Sequence, residues 1–197
     1  MLNTAKTKPQ REPLLLFARN FFKHPLMLGS LIPSSRYLID HLLRHIDWQR
    51  ARVIVEYGPG VGTITEEVLQ RMPAGGTLVA IERNEEFVEF LRESLPDPRL
   101  RVAQGSAEDV GKILESLGCG PADYIISGIP FSTMPEELRD RILRTTRAVL
   151  RPDGAFLVYQ FSSKVWPDLQ RVFHQVERAF EPRNVLPAWV FKALPGH

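Results

Sequence analysis

The sequence predicts an α/β fold in which a mostly parallel central sheet is covered by helices on both faces. Three observations carry this expectation. Apolar, strand-like runs alternate with amphipathic helical patterns from residue 52 onward. The runs are short and almost continuously apolar, as in strands buried on both faces. The first run ends in three alternating glycines that open a helix, and in open sheets of this kind ligands bind outside the carboxyl ends of the strands. A chain of 197 residues suits one domain, and a hydrophobic content of 44% can build a core at that length.

Taken in order, residues 1–12 read as a disordered tail. Pro13 opens an amphipathic helix over 13–23, stopped by Pro25. On it Leu14, Leu15, Phe17, Ala18, Phe21 and Phe22 share one face, while Arg19, Asn20 and Lys23 lie opposite. A bend over 29–35 follows, then a second helix over 36–46. Strands are expected at 52–57, 77–82, 100–104, 124–127 and 155–161, with helices at 63–72, 85–95, 107–117 and 135–150 between them. A further helix over 164–180 and a closing strand over 185–191 complete the pattern. The chain thus divides into N-terminal amphipathic helices, 1–46, and a ligand-binding body, 47–197, within one structural domain.

Composition narrows the function. Cys119 is the single cysteine, which excludes an internal disulfide and a Cys-rich zinc site. The five histidines are not paired with carboxylates at ligand spacing, and His41 and His45 read as one helix face, so no metal is expected. No apolar run reaches the roughly 18 residues of a membrane span. No secretory signal is read, so the expected compartment is the cytoplasm. Residues 1–36 hold six basic side chains against one acidic, a net +5, which leaves −3 for the rest of a chain whose total is +2. A basic arm on a mildly acidic body suits an anionic partner, either nucleic acid or a membrane surface.

Four segments carry chemistry. In Glu56-Tyr57-Gly58-Pro59-Gly60-Val61-Gly62-Thr63 the glycines allow positive φ and close approach of the backbone to a ligand. The spacing is neither that of a dinucleotide fingerprint nor that of a phosphate loop. A loop with no pyrophosphate cradle suits a ligand without phosphate, such as S-adenosylmethionine, with Glu56 facing its cationic methionine part through neighbouring groups or water. Glu82 closes the second strand, followed by Arg83, where a carboxylate can accept both ribose hydroxyls. Gly105-Ser106-Ala107-Glu108-Asp109 follows the third strand. Ser106 reads as a helix N-cap, Ala107 would flank an adenine and Glu108 would accept from its amino group. Ser127-Gly128-Ile129-Pro130-Phe131 ends the fourth strand, where an acceptor would meet the methyl group. It offers carbonyls and an aromatic face rather than an acid or base, and methyl transfer from a reactive sulfonium depends chiefly on positioning.

These segments resemble the class I methyltransferase fold, a Rossmann-like arrangement. More narrowly, the chain resembles the bacterial phospholipid N-methyltransferases, which convert phosphatidylethanolamine to phosphatidylcholine. The likeness runs from Phe21-Phe22-Lys23-His24-Pro25 and the Ile32-Pro33-Ser34-Ser35 bend to Arg183-Asn184-Val185-Leu186-Pro187-Ala188. The resemblance implies S-adenosylmethionine as donor and a phospholipid amine as acceptor. It also implies a cytoplasmic, peripheral membrane protein, monomeric, that meets an anionic membrane through residues 1–23 and takes no nucleic acid. Ser127, Ile129, Phe131 and Tyr159 would then face the acceptor, and Arg183 and Asn184 would hold the lipid phosphate. The rRNA adenine dimethylases are similar through the glycine loop but carry Asn-Leu-Pro-Tyr where this chain has Gly128-Ile129-Pro130-Phe131 preceded by Ser127. A nucleic-acid adenine methyltransferase is the competing reading, supported by the basic arm and the aromatic after Pro130.

Overall fold

A computed structural model describes residues 35–196. The expected helix at 13–23, and all but the last residue of the bend at 29–35, lie outside the described residues. Among the described residues, seven strands form one sheet in the order β3-β2-β1-β4-β5-β7-β6. They are β1 (Val53–Tyr57), β2 (Thr77–Glu82), β3 (Leu100–Gln104), β4 (Ala122–Ser127), β5 (Leu150–Gln160), β6 (Gln175–Glu181) and β7 (Ala188–Leu194). Strands β1 to β5 run parallel to one another, and β7 runs antiparallel between β5 and β6. The helices are α1 (Arg36–Leu43), α2 (Thr63–Arg71), α3 (Glu85–Ser94), α4 (Val110–Ser116), α5 (Glu136–Val149) and α6 (Trp166–Val172), with 3₁₀ turns at Ala107–Asp109 and Phe131–Thr133. The expected α/β class, with helices on both faces of a mostly parallel sheet, is the fold observed.

Alternation along each strand divides the core into two layers. Val55, Tyr57, Ile125 and Phe156 face α5 and α6, where they meet Ile142, Leu143 and Leu169. Ile54, Leu78, Ile126 and Leu157 face the other way, against Leu38 and Leu42 of α1 and Ile64 and Val68 of α2. The helices begin where the sequence supplies caps: Ser35 accepts from Leu38 N–H at 3.3 Å, and Asn84 from Glu86 N–H at 2.9 Å. The far end of α2 is tied to the sheet. Arg99, just before β3, donates to the carbonyls of Leu69 (2.8 Å) and Met72 (2.6 Å), and Asp97 holds the same guanidinium at 2.6 Å.

The structure corrects the sequence at three elements. The expected helix at 164–180 is α6 followed by strand β6. Val165, Leu169, Val172 and Phe173 keep helical spacing, but from Gln175 the pattern has period two, with Val176, Arg178 and Phe180 on one face. The closing strand is Ala188–Leu194, shifted from 185–191, because 182–187 is the turn that returns the chain to the sheet. Strand β5 starts at Leu150, inside the expected 135–150 helix, and its pairing with β4 shifts register between Ala122 and Tyr124.

Candidate active site

The parallel strands deliver Tyr57, Glu82, Gln104, Ser127 and Gln160 to one rim of the sheet. There the glycine loop leaves β1 with Gly58, Gly60 and Gly62 at φ values of 67°, 57° and 82°, a left-handed conformation that side chains resist. Space as well as conformation demands glycine: a Cβ on Gly58 would lie 2.7 Å from Ile129 Cγ2, and one on Gly62 2.7 Å from Leu91 Cδ2. Gly62 then N-caps α2, so the positive end of that helix points at the rim.

A cavity of about 320 Å³ opens beside this loop. Gly58, Gly60, Glu82, Arg83, Ser106, Ala107 and Ile129 line it, which brings together seven of the residues expected at the site. Glu82 is its polar anchor. One carboxylate oxygen accepts from the N–H of Arg83 (2.8 Å) and Asn84 (2.9 Å), the other from Gly60 N–H (3.2 Å). Burial raises the pKa of Glu82, and the three backbone N–H donors oppose that rise. Met134, Leu138 and Ile142 supply an apolar wall, and Tyr57 closes the floor with its hydroxyl held by Thr146 at 3.1 Å. A buried carboxylate beside an apolar slot, under a loop without Cβ atoms, fits a nucleoside that carries no phosphate. Residues Tyr57, Phe87, Leu138 and Ile142 were not expected at the site. The i,i+4 spacing of Leu138 and Ile142 is the sequence signal that marks that wall.

Other expected residues lie elsewhere. Glu56 is buried beneath the glycine loop and does not line the cavity, where Thr65 Oγ1 donates to it at 2.7 Å. Desolvation pushes its carboxyl up to about 7, the Thr65 hydrogen bond pulls down, and the Glu82 charge adds to the rise. Thr63 begins α2 behind the loop. Glu108 turns outward to Arg141 at 3.3 Å. Ser127 is fully buried, and its hydroxyl has no hydrogen-bond partner among the described residues.

On the acceptor side, the expected residues have partners of their own within the protein. Phe131 belongs to the core: it is fully buried in its 3₁₀ turn with its ring edge-on to Phe156, so it presents no face to an acceptor. The Ile129 carbonyl already accepts from Gln160 Nε2 (2.7 Å) and from Phe131 N–H (2.9 Å), which ties β4's loop to β5. Arg183 and Asn184 hold their own turn. Arg183 grips Glu181 at 2.9 and 3.2 Å, and Asn184 Oδ1 accepts from Ser35 N–H at 2.7 Å. Tyr159 is buried near the end of β5 against Gly128, where a Cβ would collide with the phenol oxygen.

Comparison with known proteins agrees with this geometry. The model of a family described as a methyltransferase domain matches residues 54–154. The ornithine lipid N-methyltransferase of Singulisphaera acidiphila is 36% identical over 180 residues, covering 89% of this chain and 93% of its own. The ribosomal RNA small subunit methyltransferase A of Prosthecochloris aestuarii is 28% identical over 184 residues, with 68% of its length covered. Among solved structures, the 1,6-didemethyltoxoflavin-N1-methyltransferase of Burkholderia thailandensis, solved with S-adenosylhomocysteine, superposes with a TM-score of 0.62 at 16% identity, covering 100% of this chain and 94% of that one. The glycine loop, the carboxylate that closes β2 and the near full-length relative converge on one conclusion: the chain belongs to the class I S-adenosylmethionine-dependent methyltransferases.

Proposed function

We propose that the protein transfers methyl groups from S-adenosylmethionine to the amino nitrogen of a membrane lipid. The observation that carries this reading is the likeness to a lipid N-methyltransferase over nearly the whole of both chains. When bound, the donor supplies an electrophilic methyl group on a sulfonium. The protein's part is to hold and exclude. Glu82 would accept from the ribose hydroxyls, Ala107 and Ile142 would enclose the adenine, and the loop of Gly58 and Gly60 would let the methionine part lie against the backbone. Glu56 compensates the donor's positive charge from beneath the loop.

The acceptor would meet the donor where the end of β4 lines the cavity, at Ile129 and Pro130; Tyr159 packs against the neighbouring Gly128. A primary alkylamine has an ordinary pKa of about 10.4, so the site selects the neutral amine, whose proton has gone to solvent. In-line placement of that nitrogen, rather than an acid or a metal, then supplies the catalysis. Phosphatidylethanolamine, converted stepwise to phosphatidylcholine, and ornithine lipid both offer a primary amine, and that shared group defines the substrate class. Residues 1–23 bring the enzyme to an anionic, cytoplasmic membrane face as a monomer. The test supplies labelled donor with vesicles of phosphatidylethanolamine, vesicles of ornithine lipid, and ribosomal RNA in separate reactions. Label in either lipid is the expected result. Label in RNA alone would replace this reading with that of a nucleic-acid methyltransferase.

A further inference from the structure

A second surface rises at the rim that carries the donor cavity. Because β7 is antiparallel to both β5 and β6, the turn at 182–187 stands at the end of the sheet where β1 to β5 terminate. Five large hydrophobic side chains are exposed among the described residues. Two belong to this turn, a third lies under its Arg183, and a fourth stands on β6 two residues before it, against Trp189. These four are Val185 (74% exposed), Tyr37 (54%), Phe180 (49%) and Leu186 (41%). The fifth, Leu117, precedes β4 at the opposite end of the sheet. Clustering of this kind marks an interaction site, whereas single exposed hydrophobes need no explanation.

The turn is built to hold these groups in water. Asn184 ties it to Ser35 at the start of α1, and Asn184 Nδ2 donates to Leu186 O at 2.9 Å. The arginines on and beside it lie over aromatic rings. The Arg183 guanidinium sits 4.4 Å from the Tyr37 ring centroid, and that of Arg178 sits 4.8 Å from Trp166 and 5.3 Å from Trp189. The acid beside them, Glu181, is buried and engaged by Arg183 and His41. Aliphatic tips, amphipathic aromatics and arginines together match the boundary between lipid head groups and acyl chains. Residues 1–34, with five basic side chains against one acidic, join the described chain at this same turn through Ser35.

We propose that the β6–β7 turn is a membrane-docking surface that seats on an anionic bilayer and presents the cavity rim to the head-group layer. This rests on the reading of the acceptor as a lipid amine. Docking here places the bilayer at the carboxyl ends of the strands, so the acceptor nitrogen meets the donor without leaving the interface.

The test places an environment-sensitive fluorophore at position 185 in a Cys119→Ala/Val185→Cys protein. The natural protein labelled at Cys119, just before β4 at the far end of the sheet, is the control. Vesicles with and without anionic lipid are then added at low and high salt. The expected result is a blue shift at 185 on anionic vesicles, reduced by salt, with none at 119. Absence of the shift at 185 overturns the proposal. So does a probe already blue in buffer and indifferent to vesicles, which would assign the surface to residues 1–34. In the natural background, Val185→Asp/Leu186→Asp should weaken vesicle binding roughly tenfold or more. It should lower methylation of bilayer lipid in proportion, and leave methylation of the same lipid as short-chain monomers unchanged. Equal binding of the natural and double-variant proteins counts against the docking surface. A clear shift at 185 with no label in either lipid form leaves the docking surface standing and removes the substrate assignment instead.

Discussion

Replacing Glu56 by Gln should stabilise the protein at alkaline pH relative to its stability at acid pH. The carboxyl is 3% exposed at the end of β1, and among the described residues its one side-chain donor is Thr65 Oγ1 at 2.7 Å. Burial lifts its pKa from 4.5 to about 7, and the charge on Glu82 adds to that rise. A carboxyl with a raised folded-state pKa binds more protons folded than unfolded. Its contribution is therefore complete below about 4.5 and is lost as pH climbs through about 7. The gap of about 2.5 pH units corresponds to about 3 kcal/mol at 1.36 kcal/mol per unit. Near-complete burial leaves no solvent screening to discount. Glutamine keeps the acceptor for Thr65, and any cost of placing its NH₂ group is the same at every pH. The difference in unfolding free energy between variant and natural protein should therefore rise by about 3 kcal/mol between about pH 4 and pH 9, or about 6 to 12 °C in Tm for a chain of this size. Urea unfolding across that range, at constant ionic strength, measures it. A difference that stays flat with pH would refute the reasoning, because it would mean that Glu56 titrates alike in the folded and unfolded chains.

Because a cationic ligand favours the charged carboxylate, donor binding near neutral pH should release a proton from the natural protein, and less from the Glu56→Gln variant; titration calorimetry in buffers of different ionisation enthalpy reads the proton directly. Glu82→Ala should weaken donor binding by about 1.5 to 3 kcal/mol, the range for hydrogen bonds to a charged group, and an affinity within about twofold of the natural protein would remove Glu82 from that role. Gly58→Ala must hold a side chain at φ 67° and push Ile129 Cγ2 away from 2.7 Å, so donor affinity should fall at least about tenfold in a protein that still folds by circular dichroism. Ser127→Ala removes a buried hydroxyl without a partner among the described residues, so stability should hold or rise by up to about 1 kcal/mol. A loss of more than about that amount in thermal unfolding would mean that the hydroxyl is satisfied after all.

What the sequence made legible depended on whether a signal was local. Val53–Tyr57 reads as a buried strand because almost every residue is apolar, and the three glycines after it name their own backbone conformation. Glu82 was legible through its place at the end of β2. The direction in which a ring points is not local. Phe131 follows a strand end like an acceptor-facing aromatic, yet its 3₁₀ turn sends the ring into the core against Phe156. Arg183 and Asn184 likewise sit at the right rim, but Glu181 and Ser35, brought there by β6 and α1, take up their polar groups. Strand β6 was misread because it lies at the sheet edge. Glu177 and Arg178 are exposed there, so the apolar run that marks the inner strands is missing and α6's helical spacing overran it.

The anchoring of α2 by Arg99 bears on how the site breathes. The helix is nine residues long, about 13.5 Å, and its first turn is the end of the glycine loop. Its last carbonyls are held by a guanidinium fixed to the start of β3, so the loop cannot swing open on the helix as a free lever. Opening of the loop and fraying of the far end of α2 are instead joined in one cooperative unit. Amide hydrogens from Gly62 through Met72 should then exchange together, and ligand at the loop should slow exchange at the distal end, beside Arg99, as much as at the site itself.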